Sequence, residues 1–99
     1  MSKPRYYWYG IVKKMIMRYP QMKNDAADME LQYIKAIEET LEETKELDQA
    51  ELRLKAIELI LFKKTMTTEG VAQKIFYERR TIDRWLSKFI NDVGRKVGY

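Results

Sequence analysis

Arg79, Arg80 and Arg84, with Asp83 among them, are the side chains of this sequence whose chemistry is easiest to name. A guanidinium presents a planar fork of donors that can grip O6 and N7 of one guanine together. A carboxylate can accept from cytosine N4 or orient a neighbouring arginine. Groups for covalent chemistry are scarcer. The chain holds no cysteine and no histidine, which excludes disulfides, zinc-finger ligation, thiol nucleophiles and imidazole bases. Glu38, Glu39, Glu42 and Glu43 could suggest a carboxylate metal site, but such spacing on a helix far more often makes a charged solvent face, and no histidine strengthens the metal reading. The expectation is a chain with no metal, no cofactor and no catalysis.

The arginines need elements to position them, and the apolar spacing supplies these. Pro4 suits a first helical position, and Trp8, Ile11, Val12, Met15, Ile16 and Tyr19 recur at intervals of three and four, with Pro20 ending this first helix. Asp25 is placed to cap a second helix, with Asp28 in its first turn and Met29, Tyr33, Ile34, Ile37 and Leu41 as its apolar face, running to about Lys45. Asp48 followed by Glu51 resembles a capping box for a third helix, whose Leu52, Leu54, Ile57, Leu59, Ile60 and Leu61 are apolar on more than one side and suit a central position. Thr67 can cap a short fourth helix, with Met66 and Val71 as a hydrophobic staple. Tyr77 and Ile82 flank Glu78 in the same way at a fifth, along which Ile82, Leu86, Phe89, Val93 and Val97 form the inward stripe. No stretch alternates as a strand does. The expected fold is all-α: a single domain over 1–99, with N-terminal helices over 1–47 and a C-terminal helix-turn-helix portion over 48–99.

Charge is segregated along the chain. Residues 1–24 carry six Lys or Arg and no acid, residues 25–51 two bases and ten acids, and residues 52–99 eleven bases and five acids. Basic surface on the segment that holds a helix-turn-helix pattern suits a polyanion, because each base that neutralises a phosphate releases condensed counterions. No stretch approaches the roughly 20 apolar residues of a membrane span, and none has the form of a secretion signal. A cytoplasmic protein without membrane contact is expected.

With Ile82 and Leu86 turned inward, a rotation of about 100° per residue puts Arg80, Arg84, Ser87 and Asn91 on the opposite face, flanked by Arg79, Asp83 and Lys88. The N-terminus of a recognition helix enters the major groove, so Arg79, Arg80, Asp83 and Arg84 are placed to meet base edges of double-stranded DNA. Lys88, Arg95 and Lys96 read as phosphate contacts. Thr68, Gln73 and Lys74 are offered by the fourth helix, which would cross the backbone. Trp85 is assigned to packing. The cluster Arg5, Tyr6, Tyr7, Trp8, Tyr9 interleaves base with aromatics as a single-strand surface would, yet Trp8 falls on the helical stripe and favours a core role. Lys13, Lys14 and Arg18 lie opposite that stripe, within reach of flanking phosphates, and Lys35 is spaced to pair with Glu39.

The pattern of Val71, Ala72, Ile75, Tyr77, Thr81, Ile82 and Trp85 is similar to the helix-turn-helix of sigma factor region 4. The whole chain, with its aromatic YYWYG start, acidic middle helix, LKAIELILFKK helix and terminal RRTIDRW, resembles the small RinA-type or ArpU-type phage transcriptional activators of Gram-positive bacteria. The resemblance implies a regulator, often of late phage genes, in a bacterial host and without catalysis; because a lone helix-turn-helix reads few base pairs, a second copy of the chain, RNA polymerase or both are expected partners beside DNA. Two other roles suit the same pattern: a packaging or assembly protein like the DNA-recognition domain of a small terminase, and a protein-interaction adaptor with a degenerate helix-turn-helix. Three residues depart from the general motif. Gly70 stands where a Glu usually completes the capping box, Phe76 where glycine relaxes the turn, and Glu78 where serine or threonine caps the second helix. Each missing cap costs about 1 kcal/mol in typical cases.

Overall fold

The computed structural model describes residues 7–24 and 27–99. Pro4, Arg5, Tyr6, the proposed Asp25 cap and the Met29 side chain lie outside the described residues. Among the described residues six α-helices follow in order: α1 (Trp8–Met17), α2 (Tyr19–Met22), α3 (Asp28–Thr44), α4 (Ala50–Ile57), α5 (Thr68–Ile75) and α6 (Arg79–Lys96). The last turns of α4 widen into a π-helical segment, Glu58–Phe62, in which the Lys63 amide donates to the Glu58 carbonyl at 2.7 Å. No strand occurs among the described residues, and no helix is long and apolar enough to cross a membrane.

Pro20 does not simply end the first helix. It has no N–H to give to the Ile16 carbonyl, so the chain breaks at Arg18 and restarts as the four-residue α2, with Pro20 in its first turn where a missing donor is harmless. The restart swings Tyr19 onto α3, where its hydroxyl donates to Glu38 Oε2 at 2.8 Å while its ring meets Phe62, with centroids 5.1 Å apart. Arg18 reaches Glu30 at 2.8 Å, and Glu30 in turn accepts from the Ala27 amide at the start of α3.

The buried face of α3 is Ala36, Ile37, Thr40 and Thr44, with Tyr33, Ile34 and Leu41 half-buried at its edges. The two threonines enter a core because their hydroxyls donate one turn back, to the carbonyls of Ala36 (2.7 Å) and Thr40 (2.8 Å). The expected Asp48–Glu51 capping box is absent. Gln49, in left-handed conformation (φ 57°), precedes α4, and Asp48 instead engages Arg53, whose Nε donates to its carbonyl at 2.9 Å and whose guanidinium meets its carboxylate at 3.3 Å. Fixed there, the Arg53 guanidinium lies 5.4 Å from the centre of the Trp85 ring. Ala56, Ile57 and Leu61 bury α4 and its π segment among α1, α3, α5 and α6.

Thr67 caps α5 as expected, its hydroxyl accepting from the Gly70 amide at 3.0 Å. Val71 and Ala72 are buried, and Tyr77, after the turn, packs its ring 5.3 Å from Trp85. Helix α6 then buries Ile82, Trp85, Leu86, Phe89, Ile90, Val93 and Gly94 against α1, α3, α4 and α5. The Gly94 backbone lies under the Trp8 ring: a Cβ there would come within 2.5 Å of it.

Both α5 and α6 end in the same left-handed closure, with different residues at the point of strain. At the end of α6 the Tyr99 amide donates to the Gly94 carbonyl (2.9 Å) and the Gly98 amide to Arg95 (3.2 Å), with Gly98 at φ 106°. At the end of α5 the Tyr77 amide donates to the Ala72 carbonyl (2.9 Å), and the left-handed position is held by Phe76 at φ 60°. Glycine adopts such angles without steric penalty, whereas a side chain costs roughly 1–2 kcal/mol.

Three outcomes follow from this packing. Gly94→Ala should lower unfolding stability by about 1–2 kcal/mol, since displacing Trp8 outweighs the better helix propensity. Gly10→Ala, where a Cβ meets nothing within 4 Å, should raise stability by up to about 1 kcal/mol; urea melts of both variants give the comparison. Phe76→Gly should gain about 1 kcal/mol by relieving the left-handed angles of an exposed residue, read as a higher urea midpoint with unchanged slope. Burial, and after it the hydrogen bond and charge of Glu38, push the Tyr19 hydroxyl up to about 12 from an ordinary 10. Its neutral form is thus favoured in the folded chain, and that contribution is complete below pH 10 and lost as pH rises through 12. Tyr19→Phe should therefore flatten the alkaline stability profile between pH 10 and 12.

Candidate nucleic-acid interface

Helices α5 and α6 are joined by residues 76–78 alone, and α4 packs against both. Burial of Val71 and Ala72 on one helix and of Ile82 and Leu86 on the other fixes their mutual rotation. The outward side of α6 follows from which flanks are covered. On one flank lies α1: the hydroxyls of Tyr9 and Ser87 share a hydrogen bond of 3.1 Å, and Trp8 rests on Gly94. On the other lie α3 and α4, where Lys88 and Asp92 border a small crevice with Thr44, Leu47 and Arg53. Between these flanks runs a stripe of Arg80, Arg84, Asn91 and Arg95 at spacings of four, seven and four.

The sequence-derived residues divide along these lines. Arg79, Arg80, Asp83 and Arg84 are exposed at the N-terminal half of α6, and Gln73 and Lys74 are exposed on α5. Arg79 Nε approaches Asp83 Oδ2 at 3.8 Å, so the carboxylate can orient that guanidinium. Arg80, Arg84 and Lys74 have no ion pair among the described residues. Thr68 is half-buried in the first turn of α5.

Ser87 and Lys88 are not free in the same way. Ser87 is half-buried beneath α1 and committed to Tyr9, and Lys88 donates to Asp92 at 2.8 Å. Asp92 also holds Arg95 at 3.4 Å, and Lys96 crosses to Glu43 on α3 at 2.8 Å. Each base of the C-terminal half of α6 therefore has a carboxylate partner, with Lys88 and Arg95 sharing Asp92, whereas Arg80 and Arg84 at the N-terminal half have none among the described residues. Lys88 is displaced from the outer face because it sits about 40° past Arg84, on the flank that α3 and α4 cover.

Trp85 is buried, as its place beside the apolar stripe predicts, and Trp8 is core, stacked on Tyr99 at 5.5 Å. Lys13 and Lys14 are exposed without an ion pair among the described residues, whereas Arg18 is engaged by Glu30. On the acidic side, Glu42 meets Lys45 at 2.6 Å, and the spacing-based Lys35–Glu39 pair does not form. No group of three or more carboxylates is gathered as a metal site among the described residues. Sequence reasoning missed one surface feature: the Phe76 ring is 94% exposed, and the signal was an aromatic residue where the turn calls for glycine.

The arrangement can present arginine forks to an anionic, groove-shaped partner from a rigid helix whose opposite side is locked in the core. No protein-family model matches the chain, and neither a curated protein nor a solved structure matches it.

Proposed function

We propose that this chain binds double-stranded DNA through α5 and α6 and regulates transcription of phage or prophage genes. One observation carries the DNA-binding part: Arg80 and Arg84 stand one turn apart on the outer face of α6, exposed and without an ion pair among the described residues, while Ile82 and Leu86 fix that face from behind. A major groove about 12 Å wide admits one helix, and its guanine edges accept two donors from a single guanidinium. Arg79, held toward Asp83, and Lys74 on α5 add a third base-edge donor and a phosphate contact. The regulatory part rests on the resemblance to RinA-type and ArpU-type activators. A lone helix-turn-helix reads few base pairs, so a second copy of the chain or RNA polymerase supplies the remaining specificity.

Binding of labelled duplex DNA across a salt series tests this directly. Affinity should fall steeply with salt. Arg80→Ala with Arg84→Ala should weaken binding by at least about tenfold and reduce the log–log salt slope by up to about two. Lys88→Ala, which removes a base already balanced by Asp92, should leave the slope nearly unchanged. No binding at low salt, or no effect of the paired arginine substitutions, would sink the reading. Reporter transcription from a promoter carrying a selected site checks the regulatory claim, for which intact binding without any response is the adverse result.

A further inference from the structure

Phe76 combines two features that no packing in the described structure rewards. Its ring is 94% exposed, and its backbone holds left-handed angles (φ 60°, ψ 41°) that a bulky residue rarely adopts. The closure of α5 uses only the Ala72 carbonyl and backbone amides, so the ring has no part in it. The charged residues next to it in the chain are predominantly basic: from Gln73 to Arg80 the segment carries Lys74, Arg79 and Arg80 against the single acid Glu78. Covalent geometry keeps the Phe76 Cα within about 11 Å of the Arg79 Cα, roughly three base-pair steps of a B-form duplex.

We propose that Phe76 is a base-contacting residue whose ring packs on the C5-methyl of a thymine in the major groove, beside the base pairs met by Arg79 and Arg80. The inference rests on the DNA-binding reading above and adds a specificity element to it. Charge selects the occupant. An apolar surface docked on Phe76 would strip water from Lys74 and Arg80 without pairing them, whereas a duplex offers phosphates to the cations. The thymine methyl is the apolar group that the major groove presents.

The test uses the full chain and duplexes selected by it from random DNA. Selected sites should carry a thymine at a fixed position, and replacing that thymine by uracil should weaken wild-type binding about fourfold, the worth of one buried methyl group. Phe76→Gly should raise the melting temperature yet bind the thymine site about tenfold more weakly, and it should not distinguish thymine from uracil. Phe76→Leu should recover part of the discrimination. If Phe76→Gly binds as the wild type does, or loses as much on the uracil exchange, or if no fixed thymine is selected, the inference falls. When Arg80→Ala with Arg84→Ala still weakens binding in that case, the DNA-binding reading stands without it. A wild-type chain that binds no duplex at low salt overturns both.

Discussion

The contact of the Trp8 ring with the backbone of Gly94 decides what the rest of the molecule can present. A ring that would come within 2.5 Å of any Cβ at that position brings α1 directly onto α6, close enough for the hydroxyls of Tyr9 and Ser87 to meet. One flank of α6 is thereby closed. The other is closed by α3 and α4, where Arg53 lies over Trp85 and Lys96 reaches Glu43. A helix covered on its inner side and on both flanks has one free stripe, and the residues on that stripe follow from the 3.6-residue repeat. The exposed arginines are thus a consequence of core packing as much as of their own charge.

The same enclosure redistributes the electrostatics. Asp92 lies between Lys88 and Arg95, and Glu43 holds Lys96, so every base in the C-terminal half of α6 has a carboxylate partner, two of them the same one. Surface pairs of this kind contribute little to stability, about 0–1 kcal/mol each. Their effect on the outward field is larger, because a paired base attracts a distant polyanion less than a free one does. The acidic middle segment contributes by drawing one terminal base back onto the fold. On α5 and α6 the bases left without an ion pair among the described residues are Arg80 and Arg84 with Lys74.

Helix periodicity made most of the fold legible. Ile82, Leu86, Phe89 and Val93 along α6, Ile57 and Leu61 along α4 with its π segment, and the Thr67 cap all lie where local spacing puts them, because each depends only on residues within two turns. What local spacing could not show depends on distant partners. Thr40 and Thr44 look polar, and their burial becomes acceptable only through hydroxyl donation within a helix already placed in the core. Asp48 has the form of an N-cap, but Arg53 competes for its carboxylate and carbonyl together. Lys88 is exposed, and the crevice it borders with Thr44, Leu47 and Arg53 exists only once α3 and α4 are in place. The pairing of Lys96 with Glu43 spans 53 residues, and no motif encodes it.

The two ends of α6 differ in how they follow the rules of helix stability. Its C-terminus has glycine at the left-handed position and Arg95 and Lys96 in the last turn, where the helix dipole favours positive charge. Its N-terminus does the reverse. Glu78 makes no side-chain capping bond, Arg79 and Arg80 open the first turn, which contains no acid, and just before it the strained Phe76 closes α5. Each departure costs from a few tenths to about 2 kcal/mol, and together they are a sizeable fraction of the stability of a small domain. Packing does not account for them, since the three residues after Tyr77 are exposed and the Phe76 ring touches little of the core. Positive charge at the positive end of a helix is unfavourable alone and becomes favourable beside an anion, for which the same unpaired amides are also donors.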